Sequence, residues 1–204
     1  SFHFSRIPQT EDTEEQLEAM IDYIPEKSKL LAHAKVDAIA FGCTSGSFVK
    51  GMGYDKKVIE AINSSTGIMA TTTSTAVIEA LKLTGIKRLS VGAPYSDIIM
   101  DKLKDFLEKN GFEVVKMKGL NMLCGEGDLS LDVTYNLIRE IDVPHAEGIF
   151  ISCTDFKTVE LLDILENDFG KKVISSNQAT IWKLLRLAGM KTSISNFGSL
   201  LRDY

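Results

Sequence analysis

Hydrophobic and polar positions alternate along this chain with two different periods. Short apolar runs close on Gly, Ser or Thr, and longer stretches with apolar residues three or four apart follow them. The short runs predict strands at residues 37–42, 67–70, 88–92, 112–117, 148–152 and 172–175. The longer stretches predict helices at 57–64, 75–84, 96–110, 133–139, 157–169 and 179–188. Gly85, Gly111 and Gly189 close three of them, as residues free to take a left-handed conformation do. An earlier helix over 13–34 is expected to be interrupted at Pro25, which lacks the donor a helix interior needs. Glu11, Asp12, Glu14 and Glu15 read as its solvated start, where negative charge suits the helix dipole.

Strands separated by helices imply βαβ units and a mainly parallel sheet, with ligands at the carboxyl ends of the strands. A repeat sharpens this expectation. Residues 36–44 (VDAIAFGCT) match 146–154 (AEGIFISCT), and 71–85 (TTTSTAVIEALKLTG) match 175–189 (SSNQATIWKLLRLAG) in the same order. The predicted fold is therefore α/β, with mainly parallel sheets in two similar halves related by a pseudo-twofold axis around a central cleft. The expected division puts residues 1–92 with 180–204 in a first half carrying Cys43. Residues 93–179 form a second half carrying Cys153.

Composition narrows the class. Hydrophobic residues make up 44% and charged residues 25%, enough for a core and a soluble surface. A net charge of −5 without a basic stripe argues against nucleic acid. No apolar run is long enough to cross a bilayer, and no signal peptide is evident at the start, so a cytoplasmic location is expected. Three cysteines without close spacing, and histidines with no metal-ligand spacing to them, predict free thiols and no metal.

Two of those thiols end equivalent strands of the repeat. Cys43 is followed by Thr44, Ser45, Gly46 and Ser47, and Cys153 by Thr154 and Asp155. Free backbone N–H groups at such a turn stabilise a thiolate or bind a carboxylate. Gly46 and Ser47 are small enough for a ligand to approach the backbone. A pseudo-twofold axis would bring both cysteines to one cleft. There they could share nucleophilic attack and proton transfer. The polar turns 71–75 and 175–178 suit either carboxylate recognition or helix capping. Tyr95 follows a strand and could donate a hydrogen bond to a carboxylate or protonate an enolate. Cys124 reads as non-catalytic, His33 and His145 as structural or exposed, and Trp182 as core.

Residues 43–48 (CTSGSF), 74–77 (STAV), 93–95 (APY), 151–154 (ISCT), 175–179 (SSNQA) and 182–189 (WKLLRLAG) resemble the aspartate/glutamate racemase superfamily. Within it the chain is most similar to the maleate cis–trans isomerase and arylmalonate decarboxylase branch. The resemblance implies catalytic Cys43 and Cys153, with Thr44, Ser45, Tyr95, Thr154, Ser176 and Asn177 binding a small carboxylate substrate. It also implies two Rossmann-like halves with the active site in the cleft between them, no metal or organic cofactor, and a homodimer or homotetramer. The isomerases attack maleate with the first cysteine, and the well-known decarboxylases have Gly there and keep only the second. Racemases usually follow their first cysteine with Asn-Thr, where this chain has Thr44 and Ser45. The expected activity is therefore maleate to fumarate isomerisation. The alternatives are a racemase or decarboxylase using cysteine proton transfer, and a non-catalytic small-acid binding protein. The family's opening strand and asparagine loop would precede the segment of residues 3–6 (HFSR), and residues 122–123 stand where isomerases carry Asp-Asn.

Overall fold

The computed structural model describes residues 1–204. β1 (Ala38–Phe41) and β2 (Met69–Thr72) pair in parallel, with Ala38 beside Met69 and Phe41 beside Thr72. β3 (Arg88–Tyr95), β4 (Glu113–Met122), β5 (Gly148–Ile151) and β6 (Lys172–Ser175) form a second parallel sheet in the order β4-β3-β5-β6. All four residues of β5 are buried, as expected of a strand covered on both faces.

The helices follow the expected crossovers, with particular differences. α1 (Glu14–Ala32) runs straight through Pro25. A proline inside a helix forfeits one donor, and the apolar face Leu17, Met20 and Ile24 is fully buried and holds the segment in place. A five-residue helix with no apolar period, α2 (Thr44–Phe48), begins directly after Cys43. α3 (Tyr54–Thr66), α4 (Thr73–Thr84), α5 (Asp97–Lys109) and α6 (Leu131–Ile141) occupy the expected regions. The helix expected from residue 157 begins later, as a 3-10 turn (Val159–Leu161) leading into α7 (Leu162–Phe169). The preceding residues are diverted: the Thr134 hydroxyl donates to the Lys157 carbonyl, and Phe156 is buried. α8 (Ser176–Leu187) and the short α9 (Ser199–Asp203) complete the chain.

The repeat is visible in the packing. α4 and α8, its equivalent helices, lie against each other and touch both sheets, through β2 and β6. Across that contact the Thr180 hydroxyl donates to Thr73 at 3.0 Å, and Lys183 pairs with Glu79. α1 and α3 pack together, α3 covering β1 and β2, while α5, α6 and α7 cover the second sheet. All of β3 pairs in the four-stranded sheet, so the boundary expected after residue 92 falls within it. The carboxyl ends of β1, β3 and β5 converge on one cleft of about 850 Å³. No helix is long and apolar enough to cross a membrane.

Candidate active site

Cys43 leaves β1 in an extended conformation and caps α2. Its Sγ accepts from the Gly46 N–H at 3.3 Å and lies 3.6 Å from the Ser45 hydroxyl. Cys153 leaves β5 with φ 102°, a left-handed value that costs a residue with a side chain about 1–3 kcal/mol. This backbone turns its sulfur toward the N–H groups of Asp155 and Phe156. Each thiol thus meets backbone donors two or three residues downstream, the same device in both halves.

These donors do not leave the thiols acidic. Burial pushes Cys43 up to about 11, assisted by the negative charge of Asp12 and opposed by the Ser45 and Gly46 hydrogen bonds. Burial raises Cys153 further, with Asp12 and Cys43 adding to the shift. Both are thiols at neutral pH in the free protein. Tyr95 is fully buried and its phenol is held well above its ordinary value by burial, Cys153 and Asp12. Its oxygen accepts from the Ser152 hydroxyl at 3.3 Å. A neutral phenol and two neutral thiols lining one cleft are a set of proton donors.

Of the residues expected in the site, Cys43, Thr44, Ser45, Tyr95, Cys153, Thr154 and Asn177 all line the cleft. Ser176 lies behind the lining, fully buried. Its hydroxyl oxygen accepts from Thr44 at 2.9 Å and from the Cys153 N–H at 3.2 Å, joining the two cysteine turns. Thr154 donates to the Gly42 carbonyl at 3.0 Å, and Asn177 to the Thr154 carbonyl at 2.9 Å. Ser176 and Thr154 therefore brace the site between the halves, and Asn177 holds the Thr154 turn. The 71–75 turn serves capping: Thr72 caps α4, Thr75 donates to Asp55 at 2.5 Å, and both are buried away from the cleft. Ser175 closes a capping box with Gln178. The space beside Gly46 belongs to protein, since a Cβ there would stand 3.0 Å from the Cys43 sulfur. Cys124 is exposed at the rim.

Acidic residues in the cleft escaped the sequence reading. Asp12 is not a solvated helix-start charge but a half-buried group lining the cleft. Its carboxyl accepts from the Gln9 amide and from Ser45, and its N–H donates to the Leu123 carbonyl at 2.7 Å. Burial raises it to about 6, and Glu126 and Asp155 add to the rise. Glu126 is itself 6% exposed, and its Oε1 has no hydrogen-bond partner. No local signal could have found these residues, because the loop that gathers them is more than a hundred positions from Asp12.

The fold and this site define an α/β enzyme of two similar halves with a paired-cysteine centre. The sequence pattern of the arylmalonate decarboxylase family matches residues 7–201, and the chain belongs to that family, in the branch of the aspartate/glutamate racemase superfamily that includes maleate isomerases. It is 26% identical to arylmalonate decarboxylase of Bordetella bronchiseptica over 87% of this chain and 75% of that protein. It is 25% identical to maleate isomerase of Geobacillus stearothermophilus over 98% of this chain and 83% of that one. A liganded two-site mutant of arylmalonate decarboxylase superposes with a TM-score of 0.91 at 25% identity, covering 95% of this chain and 85% of that structure.

Proposed function

We propose that the protein is a cofactor-independent cis–trans isomerase of a small unsaturated dicarboxylic acid, converting maleate or a close derivative to the trans isomer. The observation that carries this reading is the presence of both Cys43 and Cys153 on one cleft, each at a strand end with backbone donors beside its sulfur. Cys43 Sγ adds to one carbon of the double bond, and the Cys153 thiol gives its proton to the other. The proton leaving Cys43 replaces it on Cys153, so one S–H is added across the bond. The remaining single bond rotates. As the C–S bond breaks, Cys153 returns the proton it holds to the Cys43 sulfur and takes the carbon-bound proton back, so the trans alkene leaves and both thiols are restored. The neutral thiol of Cys153 and the neutral phenol of Tyr95 suit the proton-giving side of this cycle.

Proton NMR of maleate with the protein, beside the Cys43→Ala variant, tests the reading. Fumarate is expected with the native chain and not with the variant. Equal rates in both would sink the covalent route through Cys43, and absence of fumarate from both would remove maleate as the substrate. Decarboxylation of a substituted malonate is the second reading, favoured by the family pattern over residues 7–201. It needs the Cys153 proton but no nucleophile at Cys43, so it would survive Cys43→Ala.

A further inference from the structure

The turn that carries Cys43 is held from outside by a residue of α4. With five residues, α2 is too short to keep its own shape, and its start is pinned by two buried serines, Ser47 and Ser74. The Ser47 hydroxyl lies 2.8 Å from the carbonyl of Cys43 and 2.8 Å from that of Thr44. Ser74, in the first turn of α4, reaches the same place. Its hydroxyl lies 3.1 Å from the Thr44 carbonyl and 2.7 Å from the Ser47 oxygen, and its N–H donates to that oxygen at 3.3 Å. A hydroxyl carries one hydrogen, so Ser47 alone must share its hydrogen between two carbonyls. With Ser74 on the Thr44 carbonyl, Ser47 is free to hold Cys43 itself.

The second half repeats the arrangement. Counted from the N-caps Thr72 and Ser175, Ser74 and Asn177 are both the second residue of their helices. Asn177 donates to the carbonyl of Thr154, and Thr154 follows Cys153 as Thr44 follows Cys43. Two different side chains thus meet the equivalent carbonyl from the equivalent helix position. Helix capping does not account for this, because the caps are Thr72 and Ser175, which serve the N–H groups of Thr75 and Gln178. We infer that Ser74 is a positioning residue for Cys43, mounting the cysteine turn on α4 through Ser47 and the Thr44 carbonyl. Its effect on rate rests on the isomerase reading, but its effect on the order of the turn does not.

The test compares Ser74→Ala with Thr84→Val, which removes a buried hydroxyl from the other end of the same helix. Hydrogen exchange followed by NMR reads the turn without a substrate. The Gly46 N–H, which donates to the Cys43 sulfur, and the Val49 N–H, which donates to the Ser45 carbonyl, report on α2. In Ser74→Ala both are expected to exchange about tenfold faster relative to the amides of β5, the scale of one lost hydrogen bond. In Thr84→Val that ratio keeps its native value. With maleate, kcat is expected to fall about tenfold in Ser74→Ala, with KM within about twofold, and to stay near native in Thr84→Val. Ser47→Ala removes the other hydroxyl and is expected to do the same; it is the variant read if Ser74→Ala does not fold. Exchange in α2 no faster than in Thr84→Val overturns the inference, as does an unchanged kcat beside faster exchange. If the native chain makes no fumarate, maleate is lost as the substrate and the exchange rates alone decide on Ser74. If it makes fumarate and Ser74→Ala changes neither measurement, Ser74 loses its role and the isomerase stands.

Discussion

At the scale of single residues, the site is governed by burial working against hydrogen bonds. Cys43 at about 11 carries roughly one thiolate in a thousand molecules at pH 8. Iodoacetamide at that pH is therefore expected to label exposed Cys124 first, with Cys43 labelling climbing steeply toward pH 11 and Cys153 lagging behind it. Peptide mapping of the labelled chain reads this, and fast labelling of Cys43 at pH 7 would contradict it. Asp12 makes a second prediction. Its folded value near 6 exceeds its ordinary 3.8, so folding favours the protonated form. Stability is full below about pH 4 and is lost as pH rises through 6, by about 2–3 kcal/mol for a shift of this size. Asp12→Asn should thus match the native chain in urea unfolding at pH 4 and exceed it by that amount at pH 7. A difference that does not change with pH would refute the assignment. The cysteines were legible because each ends a strand of a repeat. Asp12 was not, since its neighbours along the chain are acidic and its burial comes from a distant loop.

Elements differ in how far the sequence announces them. The strands and long helices follow from period and punctuation, and β1, β5 and β6 lie within a residue or two of their expected bounds. α2 has no such signal: five residues of Thr, Ser, Gly, Ser and Phe show no amphipathic period, and packing alone makes them a helix. All five are buried, and the first turn delivers the Gly46 N–H to the Cys43 sulfur. The same turn leaves no room for a side chain, since a Cβ on Gly46 would lie 3.0 Å from Cys43 Sγ, 3.1 Å from the Met20 sulfur and 3.3 Å from Phe41. Gly46→Ala must push the Cys43 sulfur or tilt α2. A displacement of about 1 Å from the reactive geometry costs on the order of a hundredfold in rate. The variant is expected to lose turnover to that degree while keeping its circular dichroism and most of its thermal stability. Undiminished turnover would mean that the position of Sγ is not set by α2.

For the whole molecule, the question is what keeps two halves at a fixed spacing across a cleft. The repeat made the two-halved plan readable, but not the contacts between the halves, which join residues more than a hundred positions apart. Ser176 is the most economical of these contacts. One hydroxyl oxygen accepts from Thr44, next to the first cysteine, and from the N–H of the second cysteine itself. It thereby ties both reactive turns to the start of α8, the helix packed between the sheets. Thr154 adds a direct strap, its hydroxyl on the Gly42 carbonyl. Removing the Ser176 hydroxyl leaves a buried N–H and a buried threonine hydroxyl without this acceptor, a loss of about 1–3 kcal/mol. If Ser176 only stabilised the fold, that would be its whole effect. If it also sets the spacing of the thiols, Ser176→Ala must lower kcat well beyond what the folded fraction explains, with KM changed little. Thr44→Val, which removes only one of the two bonds, should fall between. The comparison is made at a temperature where both variants are fully folded. Rates that simply follow the fraction folded would confine Ser176 to a structural role, whereas a graded fall in kcat would make the distance between the cysteines a property held by the joint between the halves.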